Sequence, residues 1–423
     1  MMTTQIRPRD HFELHADTDA GRRLEALCEA HAVDFAARSA QYDRDGTFPF
    51  ENIAELQRSG VMAACVPEEL GGMGITSLHD LAIGINRLAR GDGSTALAVN
   101  MHSNVPWLLS PVWQAAAAAG DAAAAPLEEL LRAIGAGQLV IAAAFSEAGT
   151  DMLHPLLTGT RTDGGWSLAG RKTFGTAAMA AQLVFVTFRA PGSDGSMRTL
   201  ATMVPVGTPG MAILDGWDAL GMRATASNDI DFHDCLVPEN GVTDLGTWGE
   251  WSRLWLVGII SNHLGLVAAF LGIAETARDL AIDQVTSRRK GPSDRLLAER
   301  SGVQHIVAEN EIDLAACRAA LARTAQTADM YFAGNPDPGE PLDALQELMK
   351  DFQCTKTLVT LRAVEIVNRA MTLSGGAGYL ASSRLAQLYR DVRAGPFMQP
   401  FSPYEAFEYI GKVTLGLEPT LDV

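Results

Sequence analysis

Several short stretches of the chain hold residues able to bind or move charge. Ser261-Asn262-His263 interrupts an apolar run, Leu254 to Ala274, that contains no Asp, Glu, Lys or Arg. An imidazole titrates near neutrality and can act as a base, although a lone histidine in an apolar helix serves equally as a hydrogen-bonded core group. Phe145-Ser146-Glu147-Ala148-Gly149-Thr150-Asp151 sets hydroxyls and carboxylates around a glycine and, alone, reads as a turn after a strand. Arg288-Arg289-Lys290 can neutralise a phosphate or merely complement a helix C-terminus. The glycines of Ser374-Gly375-Gly376-Ala377-Gly378-Tyr379 would let backbone approach a ligand closely. Cys28, Cys65, Cys235, Cys317 and Cys354 form no C-x-x-C pair, so they read as buried thiols in a reducing cytoplasm, and no metal site is expected.

These residues need elements to hold them. At 423 residues the chain exceeds one ordinary hydrophobic core, so two or three packed units are expected. With 47% hydrophobic and 20% charged residues it reads as globular. A formal charge of −17 without a long Lys/Arg cluster excludes nucleic acid as an expected partner. An anionic small ligand needs a locally basic mouth, which linear sequence does not display. Met1 to Asp17 lacks the apolar run of a signal peptide, so a cytoplasmic location is expected. Leu254 to Ala274 reaches membrane-spanning length. Its central Ser-Asn-His, its lack of flanking basic asymmetry and its run-on into amphipathic Glu275 to Arg289 predict a core helix and no membrane span.

Leu24, Leu27, Cys28, His31 and Phe35 recur at helical spacing, as do Leu81, Ile85 and Leu88, which predicts an all-α unit over residues 1–137. Within it, Val66 to Gly74 is a turn-rich connection, and Ala115 to Ala125 is either a helix end or a surface loop. Residues 138–245 change to short apolar runs parted by Gly, Asp and Pro, with no helix-length insert, which predicts an antiparallel barrel or sandwich. Residues 246–423 return to long helices, roughly Ser252–Arg289, Leu297–Phe332, Pro341–Ser374 and Pro403–Leu415, enough for a four-helix bundle. The expected fold class is α+β, in the order α, β, α with tight joints.

That order and its motifs, from about Phe48 to Gly416, resemble the acyl-CoA dehydrogenase superfamily. Phe48-Pro49-Phe50-Glu51 through Val66 to Gly74 resembles the family's first block. Phe145 to Asp151 is similar to its T-E-P-G-x-G-S-D segment with two residues missing, and Gly170 to Thr176 is similar to G-x-K-x-[WF]-I-T. Leu220-Gly221-Met222-Arg223-Ala224-Thr225-Ala226-Ser227 resembles L-G-x-R-x-[ST]-x-S, Ser374 to Tyr379 resembles H-G-G-x-G-[YF], and Leu388-Tyr389-Arg390-Asp391 is the last match. The resemblance implies the family fold, bound FAD, and a homotetramer or at least a dimer, because the family shares FAD between chains. It assigns Ser146, Phe174 and Thr176 to the flavin ring, and Arg289, Gln304, Gly375, Gly376 and Gly378 to the pyrophosphate and adenosine end. Thr150 and Ser227 fall to the substrate. Hydroxyls suit a flavin's pyrimidine edge, where reduction builds negative charge.

The pattern then departs from the family. Acyl-CoA dehydrogenation needs a base for the α proton, which many members carry as Glu downstream of Y-R-D. Here Gln399 holds that position, and a carboxamide cannot take the proton. The other family position for the carboxylate falls on Ser261-Asn262-His263, leaving His263 as the candidate base with Asn262 beside it. Gln399-Pro400 resembles instead the superfamily's reduced-flavin monooxygenases, among them dibenzothiophene monooxygenase and the sugar-amine nitrososynthases, which need a dry cavity and hydrogen-bonding groups. His102, Ser146, Asn262, His263 and Gln399 suit that task. The primary expectation is an FAD-dependent oxidoreductase of an acyl-thioester-like substrate, working with an electron-transfer partner. The alternative is a monooxygenase, with FMN possible, supplied by a separate flavin reductase. A non-catalytic flavin-binding scaffold is the third reading.

Overall fold

The computed structural model describes residues 12–289, 291, 294–334, 339 and 341–420. Lys290 of the basic triplet and most of the N-terminal stretch read for a signal peptide lie outside them.

The first helices are set by local capping. Helix α1 (Asp19–Asp45) begins where the Thr18 side chain accepts from the Gly21 N–H and ends on Gly46 at φ 64°. After α2 (Phe50–Ser59), α3 (Leu78–Gly91) is capped by Ser77 and α4 (Gly93–Ala119) by Asp92. Helix α4 carries Pro106 and Pro111 and stops at Gly120, and α5 (Ala124–Gly135) follows. The alanine-rich stretch is therefore a helix end, a short turn and a helix start.

Eight strands follow: β1 (Ile141–Ala144), β2 (Thr158–Thr162), β3 (Gly165–Gly175), β4 (Leu183–Pro191), β5 (Met197–Pro205), β6 (Met211–Ile213), β7 (Asn228–Pro238) and β8 (Val242–Thr247). They form one sheet in the order β6-β7-β3-β2-β4-β5-β8, with β1 added against β4. Most pairings are antiparallel, as expected. The β1/β4 pairing is parallel, in register Ile141↔Leu183 to Ala144↔Val186, and β2 meets β4 in parallel at Thr158↔Arg189. A parallel pair needs a long crossover. Here the crossover is the β2–β3 hairpin itself, which sequence patterning alone does not reveal.

The last unit is built on α6 (Arg253–Ser287), α7 (Ser301–Gly334), α8 (Asp343–Ser374), α9 (Arg384–Val392) and α10 (Pro403–Thr414). The four long helices match the expected ones closely, and the nine-residue α9 is an addition. Helix α6 is apolar enough to cross a membrane by composition, yet 89% of its most apolar window is buried in this fold. It packs against α3 and α8 and is the spine of the largest core. Two glycines permit the α3 and α4 contacts: a Cβ at Gly272 would lie 2.4 Å from the Asn86 carbonyl oxygen, and one at Gly265 would lie 2.1 Å from Asn100 Oδ1. One turn beyond Gly272, buried Glu275 accepts from Arg318 Nε at 2.6 Å, Arg90 Nη2 at 2.7 Å and Asn86 Nδ2 at 3.0 Å. Burial would raise this carboxyl, but the two guanidiniums outweigh it and hold the group at about 2. Four cysteines are buried as free thiols; Cys354, on α8, is exposed, which corrects the expectation for that residue.

Candidate active site

Where the three units meet lies a cavity of about 460 Å³, within the usual range for small-molecule sites. The end of β1 contributes Ala143, Phe145 and Ser146, and the end of β3 contributes Phe174 and Thr176. The connection before β7 supplies Trp217 and Ala219 to Met222 with Thr225 and Ser227. Helix α4 gives Leu97 and Met101, and α6 gives Asn262, His263 and Leu266. Arg390, Arg393 and the segment ending at Met398 and Gln399 close the other side. Seven of the residues singled out from sequence, Ser146, Phe174, Thr176, Ser227, Asn262, His263 and Gln399, thus line one space.

Ser146 is held by its backbone, whose carbonyl accepts from the Thr173 N–H at 2.8 Å. The next residue, Glu147, is turned away: its carboxylate pairs with buried Lys172 and accepts from the Leu156 and Leu157 N–H groups at 2.8 and 2.9 Å. Burial lowers the Lys172 ammonium to about 8 against the pull of Glu147. A conspicuous acid of the motif is therefore a structural clamp between strands.

Three hydroxyls form a relay along one wall. Thr225 Oγ1 donates to the Met222 carbonyl at 2.9 Å and lies 2.7 Å from Ser227 Oγ, which is 2.9 Å from Thr176 Oγ1. A hydroxyl has one hydrogen. With the Thr225 hydrogen on the carbonyl, Ser227 donates to Thr225 and Thr176 donates to Ser227, leaving Thr176 lone pairs toward the cavity. Beside them Phe174 sits at φ 56° with its ring 60% exposed, edge-on to Trp217 at 5.9 Å. Of the six non-glycine residues at positive φ among the described residues, Phe174 and Met222 line the cavity and Ala177 and Ala226 adjoin lining residues. Such strain persists where surroundings impose it, and it gathers at functional sites. An exposed aromatic face, a hydroxyl wall and an apolar floor fit a flavin ring.

His263 donates from Nδ1 to the Ile259 carbonyl one turn earlier, at 2.8 Å. A carbonyl only accepts, so Nε2 of the neutral ring is left as an acceptor. Burial pushes this imidazole down to about 4, with the Ile259 bond opposing and nearby Lys356 assisting. Asn262 reaches Met101 Sδ at 3.6 Å, and its backbone carbonyl takes a hydrogen bond from Asn100 Nδ2 at 2.9 Å. Gln399 precedes Pro400 through a cis peptide, and the Phe401 carbonyl beyond it accepts from the buried Lys356 ammonium. Burial brings Lys356 down to about 7, against Glu405. Glu405 closes a capping box on α10 with Ser402, so it is no cavity carboxylate.

Other expected residues lie elsewhere. His102 is fully buried away from the cavity, and both ring nitrogens are committed to backbone: Nδ1 accepts from Ile141 N–H at 3.0 Å and Nε2 donates to the Met62 carbonyl at 2.9 Å. It joins α4 to β1 and cannot contact substrate. Thr150 does not line the cavity either; its hydroxyl donates to the His154 carbonyl at 2.6 Å. Arg289 is exposed and donates to the Asp294 carbonyl, Gln304 is exposed and donates to the Ala298 carbonyl, and Gly375 and Gly376 are exposed at the end of α8. Gly378 is buried, where a Cβ would lie 2.8 Å from Ser374 Oγ. None of these five lines the cavity of its own chain. Conversely, sequence reading passed over Trp217, Arg393 and Lys356. Arg390 and Arg393 stand three apart at the end of α9, a spacing that places both on one helix face. That signal was readable, whereas Trp217 lies in an irregular stretch without one.

Models of the acyl-CoA dehydrogenase N-terminal, middle and C-terminal domains match residues 22–120, 141–235 and 264–401. The chain belongs to the acyl-CoA dehydrogenase family and is a flavin-dependent oxidoreductase. Within the family it is similar to the amino sugar nitrososynthase RubN8 of Streptomyces rubradiris, at 37% identity over 95% of this chain and 92% of that protein. The amino sugar nitrososynthase DnmZ of Streptomyces peucetius is 36% identical over 94% of each. Among solved structures, KijD3 in complex with FMN and dTDP-3-amino-2,3,6-trideoxy-4-keto-3-methyl-D-glucose superposes with a TM-score of 0.86 at 34% identity, covering 96% of this chain and 97% of that one.

Proposed function

We propose that this chain is a reduced-flavin-dependent monooxygenase that oxygenates the amino group of a nucleotide-linked amino sugar. One observation carries the reading: among the described residues the cavity lining contains no Asp or Glu, so no carboxylate there stands ready to take the α proton of a thioester. Gln399 occupies the position where dehydrogenases keep that base, and Glu147 and Glu405 are bound elsewhere. The relatives named above support the same choice over the acyl-thioester expectation.

Phe174, Thr176, Ser146 and Ser227 would hold the flavin, for which FMN suffices. A reduced flavin bound there supplies two electrons, so that amine and dioxygen give hydroxylamine and water. The remaining work falls to the chain. His263 Nε2, kept unprotonated by burial, accepts from the substrate amine and orients its lone pair, while Asn262 and Gln399 offer amide donors and acceptors to the sugar. Leu97, Met101, Leu266 and Met398 keep bulk water out. Arg289, Gln304, Gly375 and Gly376, exposed and away from their own cavity, would meet the cofactor tail of a second copy, so a dimer or homotetramer belongs to this proposal, as does a separate reductase that delivers reduced flavin.

The test mixes flavin-loaded oxidised protein anaerobically with acyl-CoAs of several lengths, then supplies reduced flavin, air and a thymidine-diphosphate amino sugar. The expected result is an unchanged flavin spectrum in the first arm and a hydroxylamine or nitroso product by mass spectrometry in the second. Flavin bleaching by a thioester, without product from the amine, contradicts the proposal.

A further inference from the structure

The cavity is a positive exception in an acidic protein. The chain carries a formal charge of −17, yet the charged residues lining this space are Arg390 and Arg393. Their situations differ. Arg390 is neutralised by Asp43, with Nη1 2.9 Å from Oδ1, and also donates to the Leu220 carbonyl at 3.3 Å. Arg393 has no carboxylate partner among the described residues; its guanidinium lies over the ring of Phe397 at 5.3 Å from the centroid, and Phe397 is 64% exposed. The neighbouring acid is not available to it: Asp391 is buried and accepts from the Met222 N–H at 2.6 Å. A guanidinium beside an aromatic ring leaves N–H groups free, and its planar N–H edge matches phosphate oxygens two at a time. Surrounding carboxylates are abundant elsewhere in the chain, so an uncompensated arginine beside an apolar cavity has a ligand to explain it.

We infer that Arg393, seated on Phe397, recognises a phosphate group of a ligand occupying this cavity. The phosphate belongs either to the diphosphate of a sugar nucleotide or to the flavin. The first source rests on the function proposed above, whereas the anion chemistry does not. Asp43 keeps Arg390 oriented and electrically quiet, so removal of Arg393 should leave the site without a free positive charge.

The test measures binding of thymidine diphosphate, thymidine, FMN and riboflavin to full-length wild type and to Arg393→Ala, Arg393→Lys and Arg393→Glu. Thermal melting confirms that each variant is folded. A charge-assisted contact of this kind predicts that Arg393→Ala weakens one phosphate-bearing ligand by roughly tenfold to a hundredfold and leaves its phosphate-free counterpart within about twofold. Arg393→Lys should fall between, and Arg393→Glu should be weakest. A loss confined to thymidine diphosphate establishes the sugar nucleotide as the source. A loss confined to FMN keeps the anion site and assigns it to the cofactor; if wild type also binds no nucleotide, the sugar-nucleotide reading falls while this inference stands. Equal changes for each phosphate ligand and its counterpart, or none, overturn it.

Discussion

His263 and His102 show how much a residue's meaning depends on its second ring nitrogen. Both are buried and pushed down to about 4. His102 has both nitrogens bonded to backbone, whereas His263, a residue of the cavity lining, has only Nδ1 so bonded among the hydrogen bonds of the described residues. His263→Ala is therefore expected to lower kcat at least about tenfold while flavin affinity changes little, and His102→Ala should act through stability instead; steady-state kinetics beside urea titrations separate the two. Thr176→Val removes the cavity end of the hydroxyl relay while Ser227 keeps its bond to Thr225, so flavin affinity should fall roughly tenfold by fluorescence titration, the worth of about one hydrogen bond. Asp391 offers a pH test. Burial raises its carboxyl from 3.8 to about 7, so the folded state holds a proton there that the unfolded state releases. A raised folded value means stability is present at low pH and is lost as pH rises from about 4 to 7. Asp391→Asn keeps an acceptor for Met222 and abolishes this loss, so its stability relative to wild type should climb by up to about 4 kcal/mol between pH 4 and 7. A flat difference across that window contradicts it. The site was partly legible from residue order: hydroxyls and amides in motif positions converge. His102 and Thr150 fall outside the cavity lining, because no linear pattern states which backbone groups a polar side chain will satisfy.

Helix α6 positions half of the chemistry, and its small residues decide how closely its neighbours approach. Gly272→Ala would press on the Asn86 carbonyl, and overpacking of this kind costs about 1–3 kcal/mol. Gly258→Ala, on the same helix with open space around it, should stabilise by roughly 0.5–1 kcal/mol through helix propensity. Urea denaturation of both variants checks this, and equal signs would contradict the packing account. Long periodic helices were legible in sequence because burial writes a repeated stripe along them. Helix α9 was not, since nine residues hold only about two and a half turns of pattern. The parallel join of β1 to β4 escaped for another reason: strand direction depends on where the chain returns, and short apolar runs look alike in either sense.

The whole molecule combines a large negative charge with a carboxylate-free cavity where its helical and β units meet. A net negative charge discourages polyanions, while Arg393 at the cavity is inferred to select an anion small enough to enter. The fold of the family was readable at this scale from the α, β, α order and the motif sequence. The proposed change of chemistry was signalled at one position, Gln399, and gains weight because no Asp or Glu among the described residues lines the cavity. The proposed function requires that this cavity puts oxygen onto nitrogen and does not take hydrogen from carbon. The most direct measurement is mass analysis of the product formed from a thymidine-diphosphate amino sugar under ¹⁸O₂ with reduced FMN. A nitrogen-oxygenating cavity gives an amine-derived product carrying one oxygen-18 atom per N–O bond; a product without the label, or an unsaturated product formed without oxygen, is incompatible with it.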